Sequence, residues 1–78
     1  MARTVVYSAE EKRIINTLYI ANKPLTTKNI SERSEMAWQT TKKYLEKLHS
    51  KGIVDGGRYG KSVYWWLKTW MNVIQKIL

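Results

Sequence analysis

Residues 34–54 read SEMAWQTTKKYLEKLHSKGIV, from Ser34 to Val54, and the architecture of the chain turns on how this stretch folds. Ser34-Glu35-Met36 has the composition of a turn, and the periodicity after it predicts a helix over 37–51. Gly52 follows, a residue suited to the left-handed position that ends helices. At about 100° per residue, Trp38, Thr41, Tyr44, Leu45 and Leu48 form an inward stripe, while Gln39, Thr40, Lys43 and Lys47 fall on the opposite face with Lys42 on the flank. One side of this rod is dry and the other is polar and cationic.

Upstream, Ser8-Ala9-Glu10-Glu11 is a capping box, in which the serine and the glutamate three residues on satisfy each other's amides. A helix over 9–22 follows, with Ile14, Ile15, Leu18 and Tyr19 on one face and a stop at Asn22-Lys23-Pro24, since the residue before proline avoids helical geometry. Leu25-Thr26 leaves room for one bridging strand residue. A short helix is expected over 27–34, capped by Thr26 or Thr27 and anchored by Ile30. Downstream, Ile53-Val54-Asp55 reads as a strand and Gly56–Lys61 as a glycine-rich loop. Ser62–Leu67 alternates, with Val63, Trp65 and Leu67 on one side, so 53–67 forms a two-stranded hairpin. The tail over 69–78 returns to helical spacing. A short helix joined by a tight turn to a longer one is a helix-turn-helix, and a hairpin directly after it is a wing. The expected fold class is α+β, mainly helical: a single winged helix-turn-helix domain over 1–78, three helices plus a β-hairpin wing, with an added C-terminal helix.

Charge narrows the partners. Fourteen Lys and Arg oppose six Asp and Glu, a formal net charge of +8. Residues 1–35 hold six basic and four acidic side chains, against eight and two in 36–78. Such an excess attracts polyanions. With no cysteine and a single histidine, His49, the chain offers neither a disulfide framework nor a metal-ligand set. The acidic residues show no paired-carboxylate spacing and there is no phosphate-cradling glycine motif, so no enzyme, metal or cofactor is expected. No apolar run approaches the roughly 20 residues of a membrane span, and the N-terminus lacks a signal-peptide core, which points to a cytoplasmic protein.

These features converge on double-stranded DNA as partner. Trp38, Gln39, Thr40, Lys42, Lys43 and Lys47 are the expected contacts of the long helix, which would enter the major groove. Gln39 is suited to adenine and Thr40 to a thymine methyl or a phosphate, with phosphates the safer assignment for the lysines. Arg58, Tyr59 and Lys61 are the expected wing contacts, on flanking backbone or in a narrow minor groove. Thr27 and Lys28, at the start of the second helix, are further phosphate contacts, and Arg3 is another. The tail is apolar around more than one stripe, which points to burial on two sides. Trp66, Trp70, Met71, Ile74, Ile77 and Leu78 are accordingly expected to join two copies in a homodimer. No small-molecule effector and no membrane partner are expected. The rival readings are a protein-interaction module docking through the Trp-rich C-terminal surface, and a non-specific architectural DNA-binding protein.

The Ser34–Val54 stretch also resembles the recognition-helix signature of winged helix-turn-helix transcriptional regulators, and is similar to the small forms found in thermophilic archaea and their viruses and plasmids. The likeness runs over roughly Glu10 to Leu67. It implies that Met36 is the buried turn residue, Thr40 a DNA-contacting threonine, Leu45 and Leu48 the core pair, and Gly52-Ile53-Val54 the exit into the wing. It implies a dimerising role for the tail. The sequence departs from the pattern at Glu35, where glycine is common, at Ala37, where serine usually caps the helix, and at Thr41, where an aliphatic residue is usual.

Overall fold

The structure, a computed structural model, describes residues 7–68. Arg3 and the expected C-terminal helix, with Trp70, Met71, Ile74, Ile77 and Leu78, lie outside the described residues.

Helix α1 (Ala9–Ala21) starts at the capping box: the Ser8 hydroxyl accepts from the Glu11 amide, and the Glu11 carboxylate accepts from the Ser8 amide. It ends at Asn22, which takes the left-handed conformation and donates its N–H to the Leu18 carbonyl. Strand β1 (Leu25–Thr26) leads directly into α2 (Thr27–Ser34), and of the two threonines it is Thr26 whose hydroxyl caps the helix. A turn centred on Glu35, also left-handed, leads to α3 (Trp38–Ser50). The hairpin of β2 (Val54–Tyr59) and β3 (Ser62–Leu67) completes the described chain.

The three helices pack against one another, and the sheet closes the open side of the bundle. Ile14 and Leu18 of α1, Leu25 of β1, Ile30 of α2, Leu45 and Leu48 of α3, Val54 of β2 and Leu67 of β3 form one buried core. Every element contributes to it, as expected of a chain with room for a single core. At the bottom of the bundle Glu11, almost wholly buried, accepts from Lys51 Nζ at 2.7 Å. That bond ties the start of α1 to the end of α3.

The fold is the winged helix expected from the sequence, with four local differences. The sheet has three strands, in the order β1-β3-β2, because Leu25 and Thr26 pair with Trp65 and Tyr64. Strand β2 continues through Gly56 and Gly57 to Tyr59, so the loop shrinks to Gly60 and Lys61. Gly60, at φ +65°, supplies the positive dihedral that a two-residue hairpin loop requires. The glycines before it are strand positions beneath indole rings. A Cβ at Gly56 would sit 3.0 Å from the Trp65 ring, and one at Gly57 would sit 3.2 Å from both Trp66 and Tyr59. Two expected core residues are outside: Tyr19 is 69% and Trp38 49% exposed. Tyr19 lies toward the far end of α1, and Trp38 opens α3, where no further layer of core lies beneath the stripe.

Candidate nucleic-acid interface

The interface candidate is the outer face of α3, whose dry side is fixed by Thr41, Leu45 and Leu48, all fully buried. Thr41 reconciles its hydroxyl with burial by donating to the Ala37 carbonyl at 2.9 Å. With that side anchored, helical geometry turns Gln39, Lys43 and Lys47 outward, and all three are exposed, as is Lys42. Thr40 is half-buried. It lines an open cleft of about 360 Å³ shared with Ala9, Glu10, Arg13, Met36 and Ala37, so its position is the seam between α3 and α1. Met36 is half-buried there, packed against the core.

Aromatic rings flank the lysines. Lys42 Nζ lies 5.3 Å from the centroid of the Trp38 ring, one helical turn earlier. Lys43 and Lys47 Nζ lie 5.9 and 5.0 Å from the Tyr44 ring. A cation held over a π-face gains a modest attraction and, more usefully, a restricted range of positions. Trp38 on one flank and Tyr44 on the other thus border a polar strip of Gln39, Lys43 and Lys47.

The first turn of α3 has no side-chain cap, since Ala37 supplies no acceptor. Its leading amides are free for an anion, in the position where duplex phosphates commonly meet helix starts. Arg13 stands nearby on the cleft wall, and its guanidinium donates to the Ser34 carbonyl at 3.4 Å across the helix-turn-helix. Arg13 was not among the residues singled out from the sequence. Its i, i+3 place beside Glu10 looks like ordinary helix surface, and only the packing of α1 against the turn brings it to the α3 start.

In the wing, Arg58, Tyr59 and Lys61 are exposed at the hairpin end, with Arg58 opposite Val63 and Tyr59 opposite Ser62. Arg58 belongs to a paired strand and not, as expected, to a loose loop. The hairpin base is held by Trp65, whose Nε1 donates to the Thr27 hydroxyl at 2.9 Å. That bond occupies the Thr27 side chain in a structural role, while Lys28 remains exposed. His49 joins the same region, edge-on to Trp65 and 3.6 Å from the Asp55 carboxylate. Both partners are well exposed, so this contact adds little stability. Trp66 is half-buried on the outer face of the hairpin.

Two properties bear on other chemistry. Among the described residues no group of His, Cys, Asp or Glu is placed to hold a metal ion, and no helix is long and apolar enough to cross a membrane. Burial pushes the Glu11 carboxyl up, but the hydrogen bonds from Lys51 and Ser8 outweigh it and hold its pKa below the ordinary carboxylate value. Glu11 lies at the far end of α3 from Trp38 and serves the fold.

No protein-family model and no curated protein matches the sequence. Solved structures do match. The PcaV transcriptional regulator from Streptomyces coelicolor, in complex with its natural ligand, superposes with a TM-score of 0.74 at 19% identity over 88% of this chain and 51% of its own. The homodimeric winged helix-turn-helix DNA-binding domain Mb0332 from Mycobacterium bovis, a possible ArsR-family regulator, gives 0.71 at 20% identity over 90% of this chain and 68% of the fragment. Human N-acetylserotonin methyltransferase in complex with SAM gives 0.69 at 17% identity over 77% of this chain and 17% of the enzyme. The chain thus spans about half of PcaV and a small part of the methyltransferase. At such identities the likeness establishes the winged-helix fold, and that fold occurs in regulators and inside an enzyme alike.

Proposed function

We propose that the chain is a sequence-specific double-stranded DNA-binding protein that acts as a transcriptional regulator. Helix α3 enters the major groove, where Gln39 and Lys43 meet base edges or phosphates and Lys47 meets backbone. The wing, through Arg58, Tyr59 and Lys61, grips flanking backbone or minor groove. The protein works as a homodimer joined through residues 69–78, so that a twofold assembly meets a palindromic site with half-sites about 34 Å apart. The regulatory role of PcaV and the description of Mb0332 as a homodimeric DNA-binding domain support this reading. The observation that carries it is the uncovered polar strip of α3: Gln39, Lys43 and Lys47 stand exposed while Thr41, Leu45 and Leu48 on the opposite side of the same helix are fully buried.

Selection of bound duplexes from a random pool tests specificity and half-site symmetry together. Against the selected site, Lys43→Ala and Arg58→Ala are each expected to weaken binding about tenfold in fluorescence anisotropy at about 0.1 M salt. The melting temperature should stay unchanged, because both side chains are exposed. Wild-type affinity in both variants, or a pool that yields no consensus, overturns the proposal.

A further inference from the structure

The outer face of the hairpin carries an aromatic surface of which the proposed duplex complex uses only Tyr59. Strand pairing puts Asp55 and Trp66, Gly57 and Tyr64, and Tyr59 and Ser62 on the side away from the core, since Val54 and Leu67 are buried on the other. Tyr59 and Tyr64 meet edge to face, with ring centroids 6.0 Å apart. Gly57 lies between Tyr59 and Trp66, and both rings come within 3.2 Å of where its Cβ would be. A side chain at that position would hold the rings apart; its absence lets three aromatics form one continuous patch. Tyr59 is 64% exposed, and Tyr64 and Trp66 are half-buried.

We infer that Tyr59, Tyr64 and Trp66 form a stacking platform for unpaired nucleobases, so that the wing holds a single-stranded nucleic acid. The patch is built from aromatic rings, whose flat faces can stack on nucleobases of any sequence. Lys61 stands exposed in the hairpin loop next to Tyr59, within the chain's net charge of +8, and can meet the phosphates between stacked bases, whereas Arg58, opposite Val63, lies on the other face of the hairpin. The single carboxylate on this face, Asp55, is engaged by the Gly56 amide at 2.9 Å and by His49. Base-on-ring stacking tolerates any sequence and survives salt that weakens phosphate contacts. On this assignment Trp66 belongs to the platform and not to the dimer interface.

The test compares a labelled oligothymidylate of about 12 nucleotides with an abasic strand of the same length, both titrated into the full chain at high salt. The platform predicts that the base-bearing strand binds at least about tenfold more tightly. Tyr59→Leu, and Tyr59→Leu with Tyr64→Leu, should remove that preference stepwise, whereas Tyr59→Phe, which keeps the ring, should retain it. Binding of the abasic strand and the thermal melt should be unaltered in Tyr59→Leu. Lys43→Ala, which is expected to weaken duplex binding, should leave the oligothymidylate preference intact, so the two proposals fail separately. Equal binding of the two strands by the wild type overturns the platform. So does a Tyr59→Leu variant that keeps the preference, or one that changes the sedimenting mass, which would make the patch a contact between copies of the chain.

Discussion

The Glu11 carboxylate accepts from the Ser8 amide through one oxygen and from the Lys51 ammonium through the other, although almost no solvent reaches it. Burial alone would favour its neutral form, yet the net effect is a lowered pKa. The consequence for stability has a definite sign. A carboxyl whose pKa is lower folded than unfolded stabilises the fold at pH above its ordinary value, and that contribution is lost as the pH falls through the folded value. Thermal melts between about pH 6 and about pH 3 should therefore show the wild type losing stability more steeply than Glu11→Gln, which cannot titrate there. The two proteins share every other carboxylate, so the difference in slope reports Glu11. Parallel pH profiles would show that the ion pair with Lys51 contributes nothing beyond a surface contact.

At the scale of elements, the turn of the helix-turn-helix is under local strain that a single substitution can relieve. Glu35 sits at φ +56°, a conformation that L side chains with a Cβ enter at a cost of roughly 1–2 kcal/mol. Glycine there removes that cost but adds freedom to the unfolded chain, so Glu35→Gly should stabilise by about 0.5 kcal/mol and raise the melting temperature by about 3 °C. A fall in melting temperature would mean that Glu35 holds the turn through its side chain. The same turn shows what the sequence makes visible. The capping box, the proline stop and the stripe of Thr41, Leu45 and Leu48 are local patterns, and they place α1 and α3 within a residue of their observed ends. Non-local pairing is where reading from sequence fails. Gly56-Gly57 has the composition of a loop until the register sets it opposite Trp65 and Tyr64 and beneath the indoles of Trp65 and Trp66. Strand β1 exists only because β3 offers it an edge. Glu11 finds Lys51 forty positions away. For the candidate site, periodicity assigns Gln39, Lys43 and Lys47 to the outer face, but it has no term for where a core ends. Trp38, on the inward stripe by angle, is half exposed for that reason. Nor does it register that Thr40 borders the α1 cleft, or that Arg13 reaches the same place.

For the whole molecule, the number of cations that reach phosphate in the proposed complex fixes how binding responds to salt, and that number depends on whether one protomer or two meet the duplex. One protomer offers Lys42, Lys43 and Lys47 on α3 and Arg58 and Lys61 on the wing, all exposed. If these five meet phosphates, counterion release gives a slope of log affinity against log salt of about −4.5 for one protomer and about −9 for a twofold dimer. Between about 50 and 200 mM salt the first loses roughly 500-fold in affinity and the second more than 10⁵-fold. Anisotropy titrations at four salt concentrations on the selected duplex, with sedimentation of the free protein at the same concentrations, separate the cases. A slope near −9 with a dimeric mass supports a symmetric assembly held through residues 69–78. A slope near −4.5 with a monomeric mass removes the dimer and leaves one wing and one helix on the duplex. A slope near zero would mean that few of these cations touch phosphate, and the outer face of α3 would lose its claim to the duplex altogether.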